Sequence, residues 1–175
     1  MANSLTQKER MLLKDQISHE KICIQKYNNY ANQTQDPQLK QLLQTYARQE
    51  EQHLNTLNQI LSGTVPNLQQ QGQQQQQQGQ QQQQQRGQQL QQQAGAGGMP
   101  RAAGAQTGMT GQNDQDLCND LLMTEKYVSN TYDTAIFEFT DSNIRQVLNH
   151  IQKEEQQHGE GIFNYMQSHG MYNPQ

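Results

Sequence analysis

The chain has 175 residues, of which 31% are hydrophobic and 6% aromatic, with no Trp and a net charge of -4 from 12 Lys and Arg against 16 Asp and Glu. No Lys/Arg cluster is present, so the electrostatic footprint of nucleic-acid binding is missing and no nucleic-acid partner is expected. No apolar run approaches the roughly 18 residues of a membrane helix, and the polar start (Asn3, Ser4, Thr6, Gln7, Lys8, Glu9, Arg10) lacks a signal-peptide core. A soluble chain without membrane insertion, made in and retained by the cytosol, is expected. Cys23 and Cys118 are too few and too far apart for a disulfide framework or a Cys-x-x-Cys metal site; each reads as a small buried hydrophobe.

In chain order, Leu13, Ile17, Glu20, Ile24, Tyr27 and Ala31 step by fours and threes, the spacing of one face of an α-helix. The pattern stops at Asn32–Asp36, where Asp36-Pro37 supplies an N-cap followed by Pro at the first helical position. A second helix then carries Leu39, Leu43, Tyr46, Glu50, His53, Leu57 and Ile60 on its inward stripe, with Gly63 as a C-terminal cap. Residues 69–93 are 20 Gln interrupted by Gly72, Gly79, Arg86, Gly87 and Leu90, a composition that cannot build a packed core. Beyond it, Cys118, Leu122, Glu125, Ser129, Tyr132 and Ile136 line a third helix. After a turn near Thr140 capped by Asp141, a fourth is lined by Ile144, Leu148, Ile151, Glu155, His158, Ile162 and Tyr165.

Sliding the chain by 105 residues lays Asp15–Leu61 onto Asp120–Met166 without a gap, with identities that include Glu20/Glu125, Tyr27/Tyr132, Asp36/Asp141, Glu50/Glu155 and His53/His158. The chain therefore reads as an all-α fold made of two duplicated helical hairpins, residues 1–62 and 114–175, joined by a Gln/Gly-rich low-complexity linker over 63–113. Short turns make each hairpin antiparallel. Four amphipathic helices with one long crossover describe a ferritin-like four-helix bundle. An up-down-up-down arrangement with a dangling loop has the same spacing.

Six polar residues interrupt the four stripes. The first and third helices each give one Glu, Glu20 and Glu125. The second and fourth each give a Glu-x-x-His, Glu50 with His53 and Glu155 with His158. Three helical residues advance about 300°, so the members of each Glu-x-x-His share a face. One Glu from each of two helices and a Glu-x-x-His from each of the other two is the inward motif of di-iron and di-manganese carboxylate proteins. Four carboxylates also balance the charge of two divalent cations, and the ligand types suit iron(II) or manganese(II). Glu20, Glu50, His53, Glu125, Glu155 and His158 are the expected ligands of two such ions.

Tyr27 and Tyr132, two turns after Glu20 and Glu125, read as core tyrosines outside the site, with a hydrogen bond toward it as the alternative. His19, His150 and His169 fall off the stripes and read as surface residues, and Glu51 and Glu154 face away as solvated charge. Gly159 and Gly161 each cost about 1 kcal/mol within a helix relative to Ala, and permit a kink, local widening or close backbone packing there.

The second repeat resembles a known family. Leu121-Leu122-Met123-Thr124-Glu125-Lys126, Tyr132, Glu154-Glu155-Gln156-Gln157-His158, Tyr165-Met166 and Gly170-Met171-Tyr172 look like the spore coat F domain of endospore-forming bacteria, over about Asp114–Tyr172, with the first repeat a more distant echo. The resemblance implies a ferritin-like protein made in the mother cell and deposited in the spore coat, where it would meet other coat proteins and copies of itself. The expected function is a structural coat protein on a ferritin-like scaffold, with a carboxylate-bridged two-metal site that is either bound or vestigial. A di-iron or di-manganese oxidase, or a catalase-like peroxide scavenger, is the alternative, and enzymatic activity is not required by the first reading. The Gln tract reads as an expandable linker, or as an adhesive or cross-linking segment.

Overall fold

The computed structural model describes residues 5–66 and 108–172, with side chains from 113 onward in the second stretch. They form four helices and, among the described residues, no strand: α1 (Gln7–Gln33), α2 (Pro37–Leu61), α3 (Gly108–Glu138) and α4 (Ser142–Ser168). Gly108 lies inside the stretch expected to be linker, so α3 begins ahead of the boundary read from sequence. The Gln-rich tract itself lies outside the described residues.

The helix ends follow the local chemistry, and the duplication extends to them. Asp36 Oδ1 accepts from the backbone N–H groups of Gln38 and Leu39 (2.6 and 3.0 Å). Asp141 Oδ1 does the same for Asn143 and Ile144 (2.6 and 3.1 Å). At the other ends, Gly63 and Gly170 adopt φ of 93° and 67°. There the N–H groups of Gly63 and Thr64 bond the carbonyls of Ile60 and Gln59, and those of Gly170 and Met171 bond Gln167 and Met166, so α2 and α4 close in Schellman turns. Thr6 and Glu9 form a capping box at the start of α1. The other oxygen of Glu9 accepts from the N–H and hydroxyl of Thr140 (2.8 and 3.0 Å), tying this end to the α3–α4 turn. Burial is outweighed by the hydrogen bonds from Thr140 and Thr6, which hold the Glu9 carboxyl below its usual range.

The two hairpins form one compact unit in which α1 packs on α2 and α3, and α4 on α3 and α2. Cross-hairpin pairs fix the directions. Gln16 meets Thr131 and Lys26 meets Asp120, so α1 and α3 are antiparallel; His53 meets Glu154 and Glu50 meets His158, so α2 and α4 are too. With each hairpin antiparallel as well, α2 and α3 are parallel and diagonal. The end of α2 and the start of α3 therefore lie at opposite ends of the bundle, an up-down-down-up order that excludes the up-down-up-down alternative.

The predicted stripes meet in the middle with small rotations. Leu13, Tyr27, Leu39, Leu43, Leu57, Tyr132, Ile144, Leu148 and Ile162 are essentially inaccessible. Cys23 takes the inward position assigned to Ile24, Ala47 that of Tyr46, and Leu121 and Val128 those of Leu122 and Ser129, each of the displaced residues being half-buried. A straight 3.6-residue helix drifts against an alternating 3–4 spacing, so a stripe read over two or more turns slips sideways by one residue.

Candidate metal centre

Midway along the bundle the apolar core is interrupted by Glu20, Glu50, His53, Glu125, Glu155 and His158, all at most 3% exposed. They form two overlapping groups, Glu20 with Glu50, His53 and Glu155, and Glu125 with Glu50, Glu155 and His158. Within each, one ligand-type atom from every residue lies within 4.8 Å of the others. All six residues singled out in the sequence are brought together, and Glu50 and Glu155 belong to both groups.

The two histidines point the same nitrogen inward. His53 Nδ1 lies 2.9 Å from Glu155 Oε1, 3.4 Å from Glu50 Oε2 and 3.6 Å from Glu20 Oε2. His158 Nδ1 lies 3.1 Å from Glu50 Oε1, 3.8 Å from Glu155 Oε2 and 3.9 Å from Glu125 Oε2. Their rings are nearly parallel with centroids 5.9 Å apart. The outer nitrogens donate away from the centre, His53 Nε2 to Glu154 Oε2 (3.0 Å) and His158 Nε2 to Gln49 Oε1 (3.1 Å).

Two tyrosines complete the surroundings. Tyr27 donates its hydroxyl to Glu125 Oε1 and Tyr132 donates to Glu20 Oε1, each from the opposite hairpin. Both are fully buried. Their phenols stay well above the usual range because burial and the neighbouring carboxylates disfavour the phenolate. Tyr46 lies against His158, ring centroids 4.3 Å apart, and reaches over α4 where Gly161 has no side chain; a Cβ at Gly161 would overlap the Tyr46 hydroxyl. Of the sequence alternatives for the two glycines, close packing applies at Gly161. A Cβ at Gly159 would meet Glu125 Cβ at an ordinary 3.8 Å.

Three residues outside the sequence-derived site therefore belong to its surroundings: Tyr27 and Tyr132, read as plain core, and Gln49, not singled out. Glu154 is a correction. It was expected to face solvent but is 8% exposed, because α4 buries a face wide enough to take both members of Glu154-Glu155. Glu51 is exposed as expected. His19, His150 and His169 stay out of the centre; His150 approaches Glu154 from outside at 3.4 Å.

The electrostatics are those of a concentrated negative cluster. Burial, then the charge of Glu155, pushes Glu20 well above the ordinary carboxyl range; burial and the charges of Glu155 and Glu50 do the same to Glu125. Burial opposes ionisation of Glu50 and Glu155 too, but the proximity of Glu20 and both histidines to Glu50, and of both histidines to Glu155, wins and lowers both. Burial disfavours the imidazoliums, yet the surrounding carboxylates, Glu154 foremost at His53 and Glu155 at His158, raise both histidines.

Six inward atoms have no aligned hydrogen-bond partner: Glu20 Oε2, Glu50 Oε2, His53 Nδ1, Glu125 Oε2 and both oxygens of Glu155. Leaving buried polar atoms unpaired costs about 1–3 kcal/mol each. Their convergence and their oxygen–nitrogen chemistry fit a pair of divalent cations. Between α3 and α4 a cleft of about 840 Å³ is lined in part by Tyr127, Ser129, Gln156 and Gly159 and borders Glu125 and Glu155, which stay buried beneath it.

Comparison with known proteins agrees with the repeat. The coat F domain matches residues 8–62 and again 113–175, about two thirds of the chain. The chain belongs to the spore coat F family. The match takes in both hairpins, so the first is a family member in its own right rather than only an echo of the second. A 60-residue stretch, 34% of the chain, is 37% identical to the uncharacterised protein YusN of Bacillus subtilis (strain 168), and the alignment spans 54% of that protein. No solved structure matches. No helix among the described residues is long and apolar enough to cross a membrane.

Proposed function

We propose that the protein is a structural component of the spore coat built on a ferritin-like bundle, with a carboxylate-bridged pair of divalent ions, iron or manganese, in its core. The coat assignment rests on family membership. The observation that carries the metal reading is the set of six unpaired inward atoms, supplied by five of the six residues that the repeat pattern selects. Glu50 and Glu155, common to both groups, are the bridging ligands; Glu20 with His53, and Glu125 with His158, complete the two positions. The up-down-down-up order supports the ferritin-like assignment, since the end of α2 and the start of α3 stand at opposite ends of the bundle. A bundle of 25-residue helices is about 37 Å long, well within the reach of some forty residues at about 3.3 Å each. Synthesis in the mother-cell cytoplasm, contact with other coat proteins and self-association follow from the same family reading. Ile22, Met123 and Tyr127, at least half exposed and lining one shallow cavity, support contacts of that kind.

The cleft favours a second reading in which the centre is also active. A scaffold that only needs rigidity gains nothing from a cleft that reaches the side of its buried carboxylate cluster, whereas an oxidase or peroxide scavenger needs a short route to it. Bound iron or manganese would supply the electrons that reduce oxygen or peroxide. The chain's own residues would hold four carboxylates in place, keep Tyr27 and Tyr132 protonated as donors, and admit small molecules between α3 and α4.

Elemental analysis after loading the full chain with iron(II) or manganese(II) and desalting tests the proposal, beside a Glu50→Ala, Glu155→Ala variant whose helicity is checked by circular dichroism. About two ions per wild-type chain, lost in the variant, is the expected result and opens oxygen and peroxide assays. Wild type and variant that are equally metal-poor would leave a bundle with a remnant cluster and remove the metal centre from the proposal.

A further inference from the structure

The six central residues are the same in both repeats, but their immediate supports are not. Gln49 and Glu154 stand at equivalent steps of the duplicated sequence, each one residue before a bridging-position Glu. Each crosses to the other hairpin to accept from the outer nitrogen of its histidine, Glu154 from His53 and Gln49 from His158, at nearly equal distances of 3.0 and 3.1 Å. Geometry is thus conserved between the halves while charge is not: His53 leans on a carboxylate and His158 on an amide. A carboxylate acceptor on the outer N–H increases electron donation from the inner nitrogen of an imidazole and locks its orientation, and loss of such a partner typically costs about 10–100-fold in metal affinity. The other ligands offer no comparable bias. Glu50 and Glu155 are common to both positions, and the terminal carboxylates Glu20 and Glu125 each receive one tyrosine hydroxyl, from Tyr132 and Tyr27.

We propose that the two metal positions are unequal by construction. The His53 position, supported by Glu154, takes the first divalent transition-metal ion, and the His158 position, supported by Gln49, takes the second more weakly. Glu154 and Gln49 are positioning residues that act through the histidines. This inference rests on the metal-centre reading above.

Manganese(II) binding to the full chain tests it, followed by equilibrium dialysis and by the loss of the free-ion electron paramagnetic resonance signal, for the wild type, Glu154→Gln and Gln49→Glu. Wild type should take up two ions in two separable steps. Glu154→Gln, which keeps shape and removes charge, should weaken the first step about 10–100-fold and bring the two steps together. Gln49→Glu should tighten the second step, a gain that local damage to packing does not mimic. Two ions bound with steps that neither substitution moves would overturn the inequality and leave the metal centre standing. No manganese bound by the wild type would overturn both.

Discussion

Loading the centre with metal should expel protons, and the number follows from the arrangement of charges. Without metal, burial and the neighbouring carboxylates push Glu20 and Glu125 well above the usual carboxyl range, and the carboxylates raise both histidines, favouring the protonated forms of all four, while Glu50 and Glu155 are lowered and favour the ionised form. Two carboxylates and two imidazoliums cancel, so the empty cluster reaches neutrality by holding four protons. With two divalent ions bound, four carboxylates and two neutral imidazoles reach neutrality without them. Binding two ions should therefore release up to four protons, because ligands must be deprotonated to coordinate. Each proton displaced makes binding more favourable by about 1.4 kcal/mol per pH unit, so the combined affinity for two ions should strengthen by about 5 kcal/mol per unit over the range where all four are held. These groups titrate as a cluster, so the total is the quantity to measure. Calorimetric titration with manganese(II) in two buffers of different protonation enthalpy gives it directly. Release of one proton or none per two ions bound would refute the charge assignment.

The same groups set the stability of the metal-free protein. Raised folded-state values for Glu20, Glu125, His53 and His158 mean that their stabilisation is fully present below the unfolded values and is lost as pH rises through the folded ones. Urea unfolding of the metal-free chain should show stability declining as pH rises above the ordinary Glu and His values of about 4.3 and 6.5, and saturating manganese should reverse that trend; a metal-free stability that climbs with pH there would contradict it. Replacing Tyr27 or Tyr132 with Phe leaves a buried carboxylate oxygen without its donor, at a cost of about 1–3 kcal/mol in unfolding free energy and with weaker metal binding; a loss below about 0.5 kcal/mol in both variants would show that neither hydrogen bond contributes. Gly159→Ala should stabilise α4 by up to about 1 kcal/mol, since its Cβ meets only an ordinary contact, whereas Gly161→Ala displaces Tyr46 from His158 and should forfeit that gain. Equal thermal shifts for the two alanine variants would dismiss the close-approach explanation of Gly161.

The sequence carried the helices and the six central residues because both are written in periodicity. A Glu or His on an apolar stripe departs from a regular pattern, and a departure repeated 105 residues later is hard to produce without a shared site. The caps were legible for a similar reason, since Asp36 and Asp141 act on N–H groups two and three residues away. The resemblance to a coat domain was plainest in the second hairpin, where the motif residues are dense, and only a distant echo in the first, while the family match covers both.

Contacts between hairpins were not legible, because they depend on a rigid-body arrangement that no helical spacing encodes. Tyr27 lies two turns from Glu20 on its own helix yet serves Glu125, and Tyr132 serves Glu20, a crossing that exists only because α1 and α3 run antiparallel side by side. His53 likewise draws its outer partner from α4 and His158 from α2. Every side chain that supports a central residue in this way comes from the opposite repeat, so a single hairpin would carry half the ligands with none of their cross-hairpin hydrogen bonds. Docking the two hairpins and assembling the centre are therefore one event. Any ion held between Glu50 and Glu155 would bind the two halves of the chain together as well as the two halves of the site.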